Sequence, residues 1–205
     1  MEKSTFANSA LLIIDVQNDF CPGGTLAVPD GDSIIPVINS LGSQFRLVAA
    51  AQDWHPKEHI SFASNHPGKQ AYDTVPWKNE MQVLWPDHCI AGSPGSAFHP
   101  ALNTDLCSII IRKGTNAQID SYSAFFENDH TTPTGLTGYL QTLGISSVVL
   151  CGLATDYCIY YSAVDARKLG FTVSVLQEGI RGVNQPEGST LSAISDMKQQ
   201  GITFM

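Results

Sequence analysis

Positive charge is scarce in this chain: 11 Lys and Arg stand against 19 Asp and Glu, for a net charge of −8 over 205 residues. A general nucleic-acid binder needs a basic face to displace phosphate counterions, and an anionic membrane surface needs one too, so both partners are demoted. Long apolar runs are also missing. No stretch approaches the roughly 18–20 residues required to cross a bilayer. The first apolar run, residues 10–14, is too short for a secretory core and stops at Asp15, so no signal peptide is expected. Paired cysteine spacing is absent as well. The five cysteines, at 21, 89, 107, 151 and 158, are odd in number and show no CxxC, which argues against a disulfide framework and for a reducing cytoplasm. Neither Gly23-Gly24 nor the glycines at 92 and 95 have the spacing of a phosphate-binding loop, so no nucleotide cofactor is supported.

With 43% hydrophobic and only 15% charged residues, the composition is globular. The length suits one domain spanning residues 1–205. Short apolar runs at 11–14, 47–51, 109–111, 148–150 and 173–176, with a weak one at 202–204, alternate with helical patterns at 33–42, 136–143, 156–169 and 189–199. That alternation predicts a three-layer α/β fold around an open, mostly parallel sheet of about six strands. Pro36 falls in the first turn or so of the first helix, where its missing N–H is tolerated, and Gly170 suits the position after the third. Residues 52–106 break the rhythm and hold five of the six histidines. So long an irregular stretch is uncommon in a compact domain unless it is functional, and it reads as a lobe over the sheet.

Position singles out four reactive residues. Asp15, Asp53 and Lys113 each follow an apolar run, and Cys158 comes just after Val-Val-Leu-Cys-Gly-Leu. All fall at the carboxyl edge of a parallel sheet, where open α/β folds build their sites. Singly, each has a plain structural explanation: a turn Asp, a snorkelling Lys, a buried Cys. That explanation is kept for Cys107 and Cys151. Cys158, however, is expected in the first turn of a helix capped by Thr155, where the helix end and a nearby Lys would lower the thiol pKa. Carboxylate, ammonium and such a thiol together make a nucleophile–base set.

A second cluster joins Asp53-Trp54-His55-Pro56 to Trp85-Pro86-Asp87-His88. Pro56 biases His55 toward extended backbone, so Asp53 and His55, two residues apart, point the same way. With His88 they form a two-His, one-carboxylate set suited to Zn²⁺, Fe²⁺ or Mn²⁺. His59 or Ser61 lies close enough in sequence to add a ligand, directly or through water. His66, His99 and His130 are expected in surface loops.

Several motifs carry a family resemblance: Ile-Ile-Asp-Val-Gln-Asn-Asp-Phe at 13–20, Asp-Trp-His-Pro at 53–56, Trp-Pro-Asp-His-Cys at 85–89, Arg-Lys-Gly at 112–114, Asp-Ser-Tyr-Ser-Ala-Phe at 120–125 and Gly-Leu-Ala-Thr-Asp-Tyr-Cys at 152–158. In this order they resemble the nicotinamidases of the isochorismatase-like cysteine hydrolases, over nearly the whole chain. The resemblance implies an isochorismatase-like, Rossmann-like topology and hydrolysis of nicotinamide to nicotinate and ammonia in NAD salvage, with pyrazinamide as a further substrate. It implies a catalytic triad of Asp15, Lys113 and Cys158, and one divalent metal, zinc first, held by Asp53, His55 and His88. The metal would bind the pyridine nitrogen, and a cis peptide would precede Ala154. The backbone N–H groups of Ala154 and Cys158 are the expected oxyanion donors, and Phe20, Trp85 and Tyr122 the expected ring walls. Rival readings are a related amidase for carbamoyl, ureido or maleamate-type substrates, a metallo-amidase with a structural Cys158, a thiol redox sensor, and a two-His, one-carboxylate oxygenase. The sequence leaves homo-oligomerisation open.

Overall fold

A computed structural model describes residues 6, 8–78 and 80–205. In chain order its elements are β1 (Ser9–Ile14), α1 (Ile35–Gly42), β2 (Leu47–Asp53), β3 (Thr74–Trp77), β4 (Glu80–Val83), β5 (Ile109–Lys113), α2 (Leu136–Thr142), β6 (Ser147–Leu153), α3 (Tyr160–Lys168), β7 (Thr172–Arg181), α4 (Ser189–Gln199) and β8 (Thr203–Phe204). Six strands form one sheet in the order β5-β2-β1-β6-β7-β8, and every neighbouring pair is parallel. Strands buried on both faces read as continuous apolar runs, which is why Leu-Leu-Ile-Ile and Val-Val-Leu were legible as strands.

Side-chain alternation divides the core in two. Ala10, Leu12 and Ile14 point to the face covered by Leu136 and Leu140 of α2, Ala163 and Ala166 of α3 and Met197 of α4. Leu11 and Ile13 point to the opposite face, with Ile35 and Ile38 of α1 and with Trp85 and Cys89 from the lobe. The expected three layers are therefore present. Chain direction across the sheet reverses between β1 and β6, and the crevice beyond their carboxyl ends is where such folds take ligands.

Local details depart from the sequence reading. The 52–106 lobe contains an antiparallel hairpin, with Thr74 paired to Val83 and Trp77 to Glu80. Its four-residue strands include Pro76 and are largely exposed, so they carry no apolar period. A single 3₁₀ turn, Gly31–Ile34, precedes α1, which begins two residues later than expected with Pro36 in its first turn. Strand β7 runs ten residues because it bulges against β6: Leu150 pairs with Val175, but Gly152 pairs with Ile180. Gly170, at φ +91°, follows α3 as expected.

Candidate active site and metal centre

Three strand ends supply the polar cluster. Asp15 follows β1 in the left-handed region (φ 52°), a conformation that costs a non-glycine residue energy and tends to persist where surrounding structure imposes it. Asp53 and Lys113 end β2 and β5 and are register partners, so their side chains leave the sheet on one face. Beyond β6 the backbone turns through the cis peptide Leu153–Ala154 into a π-helical turn, Thr155–Ile159, that carries Cys158. Gly152 makes this approach possible: a Cβ there would strike the backbone of Ile14, the residue before Asp15.

Lys113 is the hub. Its ammonium is fully buried and lies 2.8 Å from Asp15 Oδ2, 2.5 Å from Asp53 Oδ1, 2.9 Å from the Ser121 carbonyl oxygen and 3.4 Å from Cys158 Sγ. A buried lysine is tolerable only when its charge is matched, and here two carboxylates face it. Burial alone would drive the ammonium to lose its proton, yet Asp15 and Asp53 hold its pKa well above the ordinary range. Burial pushes Asp15 up to about 6, against the pull of Lys113 and with the help of repulsion from Asp53. Asp53 is also desolvated, but Lys113 and His55 more than offset that and keep it ionised far below the usual carboxylate range.

The thiol departs from expectation on two counts. Thr155 does not cap the turn; Ala154 occupies the cap position and no side chain bonds there. Nor is the Cys158 pKa lowered. Burial raises it well above the ordinary thiol value, Lys113 pulls it down only in part, and Asp15 and Asp53 push it further up. Burial, with the two carboxylates adding to it, outweighs the ammonium, so the resting group is the thiol, with Asp15 beside it to take the proton.

The second cluster assembles around the other oxygen of Asp53. Its Oδ2 lies 3.5 Å from His55 Nε2 and 3.9 Å from His88 Nε2. Both rings are oriented from behind. His55 Nδ1 faces the Gly114 carbonyl at 2.9 Å and His88 Nδ1 the Pro86 carbonyl at 2.7 Å. A carbonyl can only accept, so each Nδ1 carries a proton and Nε2, the atom facing Asp53, is the one left to ligate, the arrangement of metal-binding histidines. Burial disfavours a charged His55 ring, but Asp53 more than offsets that and raises its pKa. Gly114 is needed here, since a Cβ would meet the His55 ring. Burial, reinforced by His55, lowers His88 to about 4, leaving it neutral and ready to ligate. These three buried residues fit a divalent cation. His59 is buried too, but its Nδ1 lies 2.7 Å from Ser61 Oγ and its Nε2 3.2 Å from the Ile119 carbonyl, so both nitrogens already have protein partners. Of the histidines expected in surface loops, His130 is exposed and His99 half-buried, while half-buried His66 has its Nε2 2.7 Å from the Ile60 carbonyl.

Asp53, His88 and Cys158 all face one cavity of about 440 Å³, its mouth included. Phe20, Trp85 and Tyr122 line it, as does Ala154. Trp85 Nε1 donates to the Tyr122 hydroxyl at 3.1 Å, which fixes the two rings nearly at right angles. The sequence reading missed Leu26, Val28, Tyr157 and Val183, which also line the space. Tyr157 had a signal, its place next to Cys158; the other three are isolated apolar residues in loops and had none.

Fold and side chains together define a doubly wound α/β protein with a thiol, a base and a metal-ligand set converging on one aromatic cavity. The chain belongs to the isochorismatase family: residues 9–205 match the isochorismatase domain. It is 48% identical over 195 residues to a nicotinamidase of Acinetobacter baylyi, covering 95% of this chain and 91% of that one. A solved nicotinamidase and pyrazinamidase of Acinetobacter baumanii matches with a TM-score of 0.95 at 51% identity, covering 100% of this chain and 97% of that one. The zinc complex of a Pyrococcus horikoshii pyrazinamidase matches with a TM-score of 0.79 at 35% identity, covering 97% of this chain and 98% of that one.

Proposed function

We propose that this chain hydrolyses nicotinamide to nicotinate and ammonia through a thioester on Cys158, accepts pyrazinamide, and serves NAD salvage in a reducing cytoplasm, where its five free cysteines would stay reduced. The observation that carries the reading is Lys113, fully buried between Asp15, Asp53 and Cys158 beside an aromatic-walled cavity. The names of the similar proteins support it.

Asp15 takes the Cys158 proton as sulfur attacks the carboxamide carbon, and Lys113 stabilises the thiolate as it forms. Because the resting thiol is protonated, transfer and attack belong to one step. The backbone N–H groups of Ala154 and Cys158 receive the oxyanion, at roughly 3–4 kcal/mol of transition-state stabilisation per donor. Asp15 then passes its proton to the departing nitrogen, the C–N bond breaks and ammonia leaves. Next, Asp15 draws a proton from water, which attacks the thioester carbon; the C–S bond breaks, sulfur regains a proton, and nicotinate is released. Phe20, Trp85 and Tyr122 hold the ring through this sequence. A divalent cation on Asp53, His55 and His88, zinc in preference to iron or manganese, would supply a Lewis acid for the ring nitrogen.

Ammonia release from nicotinamide by the purified chain and by its Cys158→Ala variant tests the proposal. Release by the parent alone is expected. Release by both would transfer the chemistry away from the thiol, and silence from a folded, metal-loaded parent would refute the substrate.

A further inference from the structure

Asp156, next but one to the nucleophile, touches neither Cys158 nor the metal ligands, yet its carboxylate accepts four hydrogen bonds from one distant segment. Val183 N–H donates to Oδ1 at 3.0 Å; Asn184 N–H, Ser189 Oγ and Thr190 Oγ1 donate to Oδ2 at 2.8, 2.6 and 3.3 Å. Its neighbour Tyr157 reaches the same segment, donating its hydroxyl to the Gln185 carbonyl at 2.6 Å. Residues 184–187 between these anchors are exposed, so apolar burial does not hold them. Val183, at the start of the segment, lines the cavity along with Tyr157 and Cys158.

We propose that Asp156 is a positioning residue that fastens residues 183–190 to the nucleophile's own turn and so sets the distance between the Val183 wall and the Cys158 sulfur. The inference rests on the amidase reading for its kinetic half only. Two backbone donors and two hydroxyl donors converge on its two carboxylate oxygens. An isosteric amide cannot replace it. In Asp156→Asn one oxygen becomes an NH₂ group facing N–H or O–H donors, so at least one of the four is left without an acceptor. The wall then loosens while the turn, held by β6 and α3, keeps its place.

The test uses the full, metal-loaded chain, with active sites counted by iodoacetamide labelling of Cys158. For Asp156→Asn, the KM for nicotinamide is expected to rise about tenfold or more, with kcat per labelled site within about threefold of the parent, the signature of lost substrate binding without lost chemistry. A merely structural role would lower the number of active sites and leave their KM unchanged, and that result overturns the proposal. Trypsin supplies a readout independent of turnover: faster cleavage after Arg181, seen by mass as fragments 1–181 and 182–205, is expected in Asp156→Asn, and an unchanged rate overturns the proposal. Faster cleavage in a protein whose parent releases no ammonia would uphold the clamp and refute the amidase reading alone. If Asp156→Asn does not fold, the double variant Ser189→Ala, Thr190→Val removes two of the donors; it is expected to raise KM and the cleavage rate to a lesser extent, and no change in either overturns the proposal.

Discussion

Asp15→Asn should abolish turnover and yet stabilise the fold. Asp15 is fully buried, and its carboxyl titrates at about 6 rather than its ordinary 3.8, chiefly because burial penalises the charge more than Lys113 rewards it. A folded-state pKa above the unfolded one means that the native chain binds the proton more tightly. The stability contributed by the neutral acid is therefore complete below pH 3.8 and is lost as pH rises through about 6. The whole shift corresponds to about 3 kcal/mol, with about half of it already lost by pH 5. Asparagine copies the neutral acid in shape and cannot ionise, so the variant escapes that loss.

The difference between variant and parent should thus be close to zero in acid and grow to about 3 kcal/mol above pH 7. Urea denaturation of both proteins, treated with chelator and followed from pH 5 to pH 8, measures it directly. Activity should fall by 10²–10⁴-fold, the typical value of a general base. A variant no more stable than the parent at pH 8, or a difference that does not change with pH, would refute the reasoning, because it would mean that the ionised Asp15 is not held at a cost. The outcome expected is the familiar exchange of stability for function at a catalytic residue.

Lys113→Met leaves Asp15 and Asp53 facing each other without their shared cation and should cost about 3–5 kcal/mol in urea denaturation, as breaking a buried ion pair does. It should also shift iodoacetamide labelling of Cys158 to higher pH; an unchanged profile would remove Lys113 from thiol activation. Removing the metal with a chelator should raise the KM for nicotinamide more than it lowers kcat, with recovery on adding back zinc. A loss confined to kcat would instead assign the ion to the chemical step.

The architecture was legible because doubly buried strands advertise themselves as apolar runs, and residues that interrupt a run at its carboxyl end fall on the edge where parallel sheets bind ligands. Asp15 after Leu-Leu-Ile-Ile and Lys113 after Ile-Ile-Ile-Arg were found that way. Asp53 and His55 were paired correctly by their two-residue spacing, and the structure places them 3.5 Å apart. What the sequence could not convey is desolvation. The expectation of a low thiol pKa weighed a helix end and a lysine, both visible in sequence, but not the burial of Cys158 or the two carboxylates brought to it from other strands, and these dominate. Asp156 was hidden for a related reason. Within Thr-Asp-Tyr-Cys it looks like a polar first-turn residue, and only the return of the chain at 183–190 gives its carboxylate four donors.

Asp53, which the sequence places in both clusters, links them in the structure. Asp53 turns Oδ1 to Lys113 and Oδ2 to His55 and His88, so one carboxylate serves both the thiol's ammonium and the metal-ligand set. Each job explains part of its electrostatics: Lys113 and His55 favour its ionised form, which is why it stays charged where burial pushes Asp15, with Lys113 alone among cations to oppose it, toward neutrality. The same sharing dictates how the site can be dissected. Asp53→Asn removes a candidate metal ligand and a Lys113 partner together, so its effect on rate cannot be apportioned between them. His88 has no contact with the ammonium, and chelation leaves every side chain in place; only such perturbations separate substrate holding from thiol activation.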